Sequence, residues 1–282
     1  DSDGVLELPR RGVKINCQLG FVGEGVHDKG DFIVDETEWS GTPDTITIKA
    51  SSANFKSKIK EAKSKSYHRK TFGEIAEEIA KNHDLTLVMI DELKSINLNH
   101  IDQTNESDLN LLVRISKQNG AEMAVKKDRL LIFKAGSAKT ASGKDLPSIT
   151  LTRRDGDQFR YSEQDRESDH TGVSASFHDT GKAKRESVTS GTEGKVKKLK
   201  GTFATKEEAE RASKAKMDEI KRQMAKFSIT TAFGIPSIST ETPINLDGFK
   251  PQVDKLKWIV EKATHSYSTS GLTMQLELEA SI

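Results

Sequence analysis

A single cysteine, Cys17, in 282 residues excludes an intramolecular disulfide and any zinc site built on cysteine pairs, and it fits synthesis in a reducing compartment. No apolar run approaches the ~20 residues of a membrane span, and no basic-then-apolar leader opens the chain, so the sequence reads as soluble and unexported. Apolar residues are scarce at 34% while charged residues reach 31%, which favours small domains with much wet surface over one continuous core. An excess of either charge is missing as well. The 44 basic and 43 acidic side chains leave +1, so no whole-molecule field draws the chain to nucleic acid or an anionic membrane. At this length two or three domains are expected.

Catalytic constellations are equally absent from the spacing. The seven histidines, His27, His68, His83, His100, His170, His178 and His265, show no His-x-x-x-His pattern and no pair spaced for one helix face. His100-Ile101-Asp102 and His83-Asp84 resemble oriented bases, but no nucleophile accompanies them, and hydrogen bonding within loops is the simpler account. Ser142-Gly143-Lys144 and Gly191-Thr192-Glu193-Gly194-Lys195 lack the spacing and strand-to-helix context of a phosphate loop. No cofactor, metal or catalytic residue is expected.

What is present alternates. After the turn signals Pro9 and Gly12, residues 13–19 place Val13, Ile15, Cys17 and Leu19 on one strand face, so Cys17 reads as a buried, inert thiol. Residues 32–39 and 45–50 continue the pattern, with Gly41-Thr42-Pro43-Asp44 as a hairpin connection. Thr71 and Glu74 form a capping box, and Phe72, Ile75, Ala76 and Ile79 give a helical stripe that covers a strand at 85–88. A second helix is expected over 106–118, capped by Asn105 or Ser107 and stopped at Asn119-Gly120. Strands at 121–125 and 129–133 complete a small α+β unit, and the small, polar residues 136–147 read as a mobile linker.

Beyond the linker, strands are expected at 148–151, 158–161 and 172–178, then a loop over 181–201. A helix over 205–225 follows, opened by a Thr205–Glu208 capping box, with Ala209, Ala212, Lys216, Ile220 and Met224 near one face. The chain ends in strands at 227–233, 242–246, 257–265 and 272–279. In the last, Leu272, Met274, Leu276 and Leu278 alternate with Thr273, Gln275, Glu277 and Glu279. Short antiparallel strands close into barrels or sandwiches to hide their edges. The expected fold is therefore α+β and mainly β: two tube-like antiparallel β-barrel domains with an inserted small α+β domain. The first barrel spans 1–60, with 148–180 available to complete it; the insert spans 61–138, the linker 139–147, and the second barrel 181–282. Asp1, where Met would open a new chain, leaves room for earlier strands of the first barrel.

Charge is segregated along the chain. Residues 56–70 hold seven basic side chains against Glu61, a local +6, and read as a linker or solvated edge; residues 71–110 carry nine acids against Lys81 and Lys94, or −7. A second basic stretch, 181–201, carries +5. Neither basic stretch holds the interleaved aromatics that read bases. Lys56, Lys58, Lys60, Lys195, Lys197, Lys198 and Lys200 are the candidate channel or partner contacts, for DNA passing through a ring without sequence readout.

Several segments in combination resemble one family: Leu-Pro-Arg-Arg-Gly (8–12), Gly-Asp-Phe-Ile-Val-Asp-Glu (30–36), Ser-Tyr-His-Arg-Lys-Thr-Phe-Gly-Glu-Ile (66–75), His-Ile-Asp-Gln-Thr-Asn-Glu-Ser-Asp (100–108), Thr-Ala-Ser-Gly-Lys-Asp-Leu-Pro (140–147), Gly-Phe-Lys-Pro (248–251) and Ala-Thr-His-Ser (263–266). They are similar to the late control protein D family, the hub proteins of contractile phage-tail baseplates. The resemblance implies a homotrimer of double-barrel subunits that adapts a hexameric tail tube to a trimeric spike. Its central channel would hold tape-measure protein and later pass DNA. The implied location is the virion baseplate, after assembly in the bacterial cytoplasm. Two other classes stay open. Thr71 to Leu93 has the strand-helix rhythm of a LysM peptidoglycan-binding module without a clear second helix, and a lysozyme-like activity would need two carboxylates across a cleft.

Overall fold

The computed structural model describes residues 6–52, 57–163, 170–179, 181–182, 184–192 and 194–281. The chain begins with an antiparallel meander, β1 (Lys14–Phe21), β2 (Gly25–Ser40) and β3 (Thr45–Ser52), joined at 41–44 as the turn residues require. β1 and β3 are its edges, with no further strand beside them among the described residues.

The insert runs β4 (Ala62–Thr71), α1 (Phe72–Asn82), β5 (Thr86–Met89), α2 (Asp91–Lys94), β6 (Asn97–Ser107), α3 (Asp108–Gln118), β7 (Ala121–Lys126) and β8 (Arg129–Lys134). Its core is one contiguous cluster in which Phe72, Ile75 and Ile79 of α1 meet Leu111, Leu112 and Ile115 of α3 and Leu130 and Ile132 of β8. The Thr71–Glu74 capping box forms in both directions. Ser107, not Asn105, caps α3; Asn105 lies at φ 46°, inside β6.

Three expectations fail here and just beyond. Residues 56–70 are not a free linker: Ala62–Thr71 is strand β4, paired antiparallel with β6. The ladder buries Tyr67, Leu98, Ile101, Gln103 and Ser107, with too few apolar positions for alternation to register in sequence. The second helix of the strand–helix–helix–strand rhythm exists, as the single turn of α2. Residues 136–147 are tied down: Thr140 N–H donates to Lys144 O at 2.8 Å and Leu146 N–H to Ala138 O at 2.9 Å.

The remaining elements are β9 (Ile149–Thr152), β10 (Gly156–Glu163), β11 (Gly172–Asp179), β12 (Lys184–Gly191), β13 (Val196–Lys198), α4 (Lys206–Arg222), β14 (Ala225–Thr231), β15 (Pro243–Asp247), α5 (Pro251–Asp254), β16 (Trp258–Ser268) and β17 (Gly271–Ala280). Six strands in the order β10-β14-β17-β16-β15-β9 make a half-barrel. Met274, Leu276 and Leu278 of β17 pack with Phe227, Ile229, Trp258 and Val260 on its inner face, as the alternation of β17 requires. Phe227 sits edge-on to Phe249 with centroids 5.1 Å apart, and the Trp258 indole N–H donates to Val253 O at 3.0 Å, the arrangement a buried Trp needs.

Two strand assignments also change. β9 and β10 pair with β15 and β14, so 148–163 extends the C-terminal sheet and does not complete the meander. The expected loop over 181–201 contains β12 and β13, which flank β11 in a separate three-stranded sheet covered by α4. Val188, Val196 and Leu199 are its sparse apolar side chains, diluted by Lys and Ser. On α4 the buried stripe is Ala209, Ala212, Ser213 and Met217, rotated from the expected one. Small side chains let the helix lie close to β11 and β12, Lys216 turns to Glu219 at 2.7 Å, and Met224 lies past the helix end, exposed.

Candidate assembly surface

The registers of the meander set its two faces. Ile15 lies opposite Phe32, Val34 opposite Ala50, Thr37 opposite Ile48 and Trp39 opposite Ile46, so Val13, Ile15, Cys17 and Leu19 share a face with Phe32, Val34, Trp39 and Ile48. The opposite face is wet, with Lys14 bonded to Asp31 at 2.8 Å and Asn16 donating to Asp31 at 2.9 Å. The apolar face is largely uncovered within one chain: Trp39 is 63% exposed, Ile48 45% and Val13 44%. Cys17 is half-buried, not enclosed as expected. The alternation is present; among the described residues the face is closed over Val34, 1% exposed, and left open at Val13, Ile15, Trp39 and Ile48.

The middle of β2 and the end of β3 are clamped. Lys29 Nζ donates to Pro236 O at 2.6 Å and Ile238 O at 3.1 Å and meets His265 Nε2 at 3.1 Å. Burial lowers the Lys29 pKa, helped by the nearby Lys126 charge. On the insert side, Asp28 pairs with Lys127 and Ser52 Oγ donates to Val125 O at 3.2 Å. The meander is thus fixed at its waist while its ends project.

A second joint ties the insert to the half-barrel. The Glu241 carboxylate accepts from the backbone N–H groups of Gly136, Ser137 and Ala138 at 3.1, 3.1 and 3.4 Å, and Arg222 Nε donates to Glu279 at 3.0 Å. Burial raises the pKa of both glutamates, more than the donors lower it. A cleft of about 200 Å³ opens here, lined in part by Glu122, Glu219, Glu241, Glu261 and Glu279. Carboxylates across a cleft is the arrangement glycoside hydrolysis uses, yet Glu219 is bonded to Lys216, Glu261 to Lys226, and Glu241 and Glu279 to the donors above. Glu241 fastens the insert side to the half-barrel, Glu279 fastens α4 to it, and Glu219 and Glu261 are paired within α4 and the half-barrel.

Sequence-segregated charge cancels on folding. Lys65 and Lys70 of β4 both pair with Glu78 of α1, and Lys63 pairs with Asp108 at 2.8 Å. Lys65 and Lys70 also lie over the Tyr67 ring, 4.7 and 5.7 Å from its centroid. Burial and the carboxylates of Glu78 and Asp108 push the Tyr67 hydroxyl up to about 12. Much of the first basic run is therefore spent on the insert's own acids.

Of the seven candidate lysines, Lys56 lies outside the described residues, and Lys58 and Lys60 belong to a 3₁₀ turn over Ser57–Lys60 whose Ile59 is fully buried. Lys195, Lys198 and Lys200 are exposed on and around edge strand β13, while Lys197 is half-buried. Lys58 and Lys60 thus lie on a turn packed into the insert core through Ile59, and the second group lies around β13. Lys200 also lines a polar cleft of about 290 Å³ with His100, Asp102, Arg114 and Glu208. Sequence reasoning missed the linking role of Glu208. Thr205 accepts from its N–H at 3.2 Å, but the Glu208 carboxylate, instead of closing the capping box on Thr205 N–H, accepts from Ala204 N–H with one oxygen and from Asn99 N–H with the other, each at 3.2 Å, and so docks α4 on the insert.

Comparison with known proteins places this architecture. A family model described as "Phage tail baseplate hub (GPD)" matches residues 24–271. The chain is 38% identical to a probable baseplate hub protein of Escherichia phage 186, over all of this chain and 83% of that protein. It is 36% identical to one of Escherichia phage P2, over 99% of this chain and 82% of that one. Among solved structures, the 43 kDa tail protein of prophage MuSo2 from Shewanella oneidensis superimposes with a TM-score of 0.68 at 16% identity, over 98% of this chain and 85% of that chain. A tail protein from Neisseria meningitidis MC58 gives the same score at 12%, over 94% and 83%, so the fold is shared where sequence has diverged. An uncovered apolar sheet face, open strand edges and a family match across most of the chain agree, and the protein belongs to the phage tail baseplate hub family.

Proposed function

We propose that this chain works by shape, as one subunit of a homotrimeric ring in the baseplate of a contractile phage or phage-like tail, adapting the tail tube to a trimeric spike. The observation that carries the reading is the β1–β3 face, where Trp39, Ile48, Val13 and Ile15 stay exposed in a single chain beside the open edges of β1 and β3. Exposed edges and contiguous apolar faces mark association surfaces. Copies of the meander sharing edges around an axis cover both. The residues divide into a first β unit (1–60), an insert (61–138), a linker (139–147) and a second β unit (181–282, with strands of 148–163 added to its sheet). The channel of the ring holds tape-measure protein and passes DNA, with Lys195, Lys198 and Lys200 as its cationic lining; Lys197, Lys56, Lys58 and Lys60 are secondary candidates. Other partners are the spike, the tube and further baseplate proteins, met in the host cytoplasm during assembly. The ring needs no cofactor and performs no reaction, a reading supported by the engaged carboxylates of the joint.

Light scattering on the purified chain across a concentration series tests the ring. Three copies per particle are expected; a clean monomer at the highest concentration sinks the proposal.

A second reading gives the insert a glycan-binding role. It is favoured by the order β4-α1-β5-α2-β6, with β4 and β6 antiparallel neighbours, and by a cleft of about 500 Å³ between the insert and the start of α4, lined by Arg69, Lys70 and Asn97 on one side and Thr205, Glu207 and Arg211 on the other. A pull-down on purified peptidoglycan decides it: retention lost on deleting residues 66–135 supports the binding module, and no retention of the full chain removes it.

A further inference from the structure

The wet face of the β4–β6 ladder carries an arrangement that neither ring assembly nor the insert's core uses. His68 and His100 are direct cross-strand partners, next to the pair Ser66 and Asp102. Their Nδ1 atoms lie 3.0 Å apart, with ring centroids at 4.6 Å and planes inclined by 32°. His100 Nε2 sits 2.8 Å from Asp102 Oδ2, and Ser66 Oγ donates to Asp102 Oδ1 at 2.6 Å. Asp102 is held below the ordinary carboxylate range, by the Ser66 hydrogen bond first and then by His100.

The chemistry follows from the carboxylate. An ionised Asp102 accepts a proton-bearing Nε2, which leaves the lone pair of His100 on Nδ1, facing His68. Carboxylate–histidine–metal triads orient an imidazole in this way. In the empty pair, His68 donates Nδ1–H to His100. If His68 takes the other tautomer, with its proton on Nε2 toward solvent, both Nδ1 lone pairs face the same space. A 3.0 Å span subtends roughly 90–97° at an ion held about 2.0–2.1 Å from each nitrogen. That angle suits cis positions of a square-planar or octahedral ion and is narrow for a tetrahedral one. Side chain exposure of 45% at His100 and 53% at Asp102 leaves the other positions to water. Among the described residues no three His, Cys, Asp or Glu side chains converge on one point, so the protein supplies two ligands and an orienting carboxylate.

We propose that His68 and His100, oriented by Asp102, form a two-histidine site for a divalent transition-metal ion that staples β4 to β6, with Cu(II) and Ni(II) preferred over Zn(II). The test uses the full chain without a histidine tag, titrated calorimetrically with each metal chloride in a non-coordinating buffer beside the His68→Gln/His100→Gln double variant. The wild type is expected to take up one more Cu(II) or Ni(II) per chain than the double variant, with two equatorial nitrogens in the electron paramagnetic resonance spectrum of the extra Cu(II). Asp102→Asn is expected to weaken that site roughly 10- to 100-fold. Equal uptake by wild type and double variant overturns the site. Zn(II) binding tighter than Ni(II) overturns the cis geometry, and full affinity in Asp102→Asn overturns the orienting role.

Discussion

Asp108 is the residue on which the insert's polar interior turns, and its removal has a calculable effect. The side chain starts α3, is 2% exposed, and accepts from three elements at once: Lys63 of β4 and His83 at the end of α1, each 2.8 Å from Oδ2, and Gln103 of β6, 3.0 Å from Oδ1. Asp108→Ala strands the buried His83, at about 1–3 kcal/mol for an unpaired buried polar group, and leaves Gln103 Nε2 with one acceptor of two, Glu106 O at 2.9 Å, at about 1 kcal/mol for the lost bond. The Lys63 side chain is 40% exposed and turns to water, so its ion pair adds little. The sum is roughly 2–4 kcal/mol, short of the ~3–5 of a fully enclosed ion pair. The assay is hydrogen exchange at the amides of α3 and β6, where exchange through local opening should quicken by roughly 30- to 700-fold, with the amides of β16 and β17 unchanged as an internal control. Burial opposes ionisation of Asp108, but the Lys63, His83 and Gln103 bonds outweigh it and hold its pKa below 3.8. Its contribution is present above that value and is lost as pH falls through the lowered folded pKa, so wild type and variant converge in acid. Exchange that stays within threefold of wild type, or that quickens equally in the half-barrel, refutes the reasoning.

Three further outcomes are expected. Gly73→Ala, which in an open helix gains about 1 kcal/mol, should instead destabilise by about 1–2 kcal/mol net of that gain, because the added Cβ stands 2.9 Å from Lys94 Cβ and 3.0 Å from its Cα; a raised denaturation midpoint contradicts this. Glu241 and Glu279 have folded pKa values raised above 4.5 by burial, so the folded state binds more protons there and stability rises as pH drops from neutral toward 4.5. Glu241→Gln should flatten that limb of the melting profile and leave the acid limb, set by carboxylates such as Asp108, unchanged. Trp39→Ala should weaken self-association by about 2–4 kcal/mol, the range of an aromatic anchor, while the far-ultraviolet circular dichroism stays that of wild type; sedimentation equilibrium that matches the wild type removes Trp39 from the interface.

Strands with dense alternation were legible from residues alone. β17 is the clearest case, since four apolar side chains on one face can be satisfied by only one orientation against a core. The same holds for α1, whose cap and stripe are both local. β4, β12 and β13 escaped because their partners, not their own side chains, make them strands: β4 buries Tyr67 and otherwise presents Lys and Ser. Glu208 escaped for a related reason. A capping box is a statement about four consecutive residues; one Glu208 oxygen stays local, on Ala204 N–H, and the backbone amide that captured the other belongs to Asn99, more than a hundred positions away. Local pattern proposes a use for a side chain, and a distant donor in a better position takes it.

Charge and the meander show the same limit at two scales. The opposed runs at 56–70 and 71–110 read as two separate charged segments, but Lys63, Lys65 and Lys70 of one fold onto Asp108 and Glu78 of the other, and a nucleic-acid reading of the first run loses three of its seven cations. The opposite happened at Val13, Ile15 and Trp39, where alternation implied a covered face and the described residues leave them exposed. A period-2 pattern reports that one side of a strand leaves water; it carries no information on whose atoms replace the water. In the insert those atoms come from the same chain, so the reading could be completed from 282 residues. At the meander the described residues leave that side exposed at Val13, Ile15 and Trp39, and in the proposed ring these become the surface on which assembly acts.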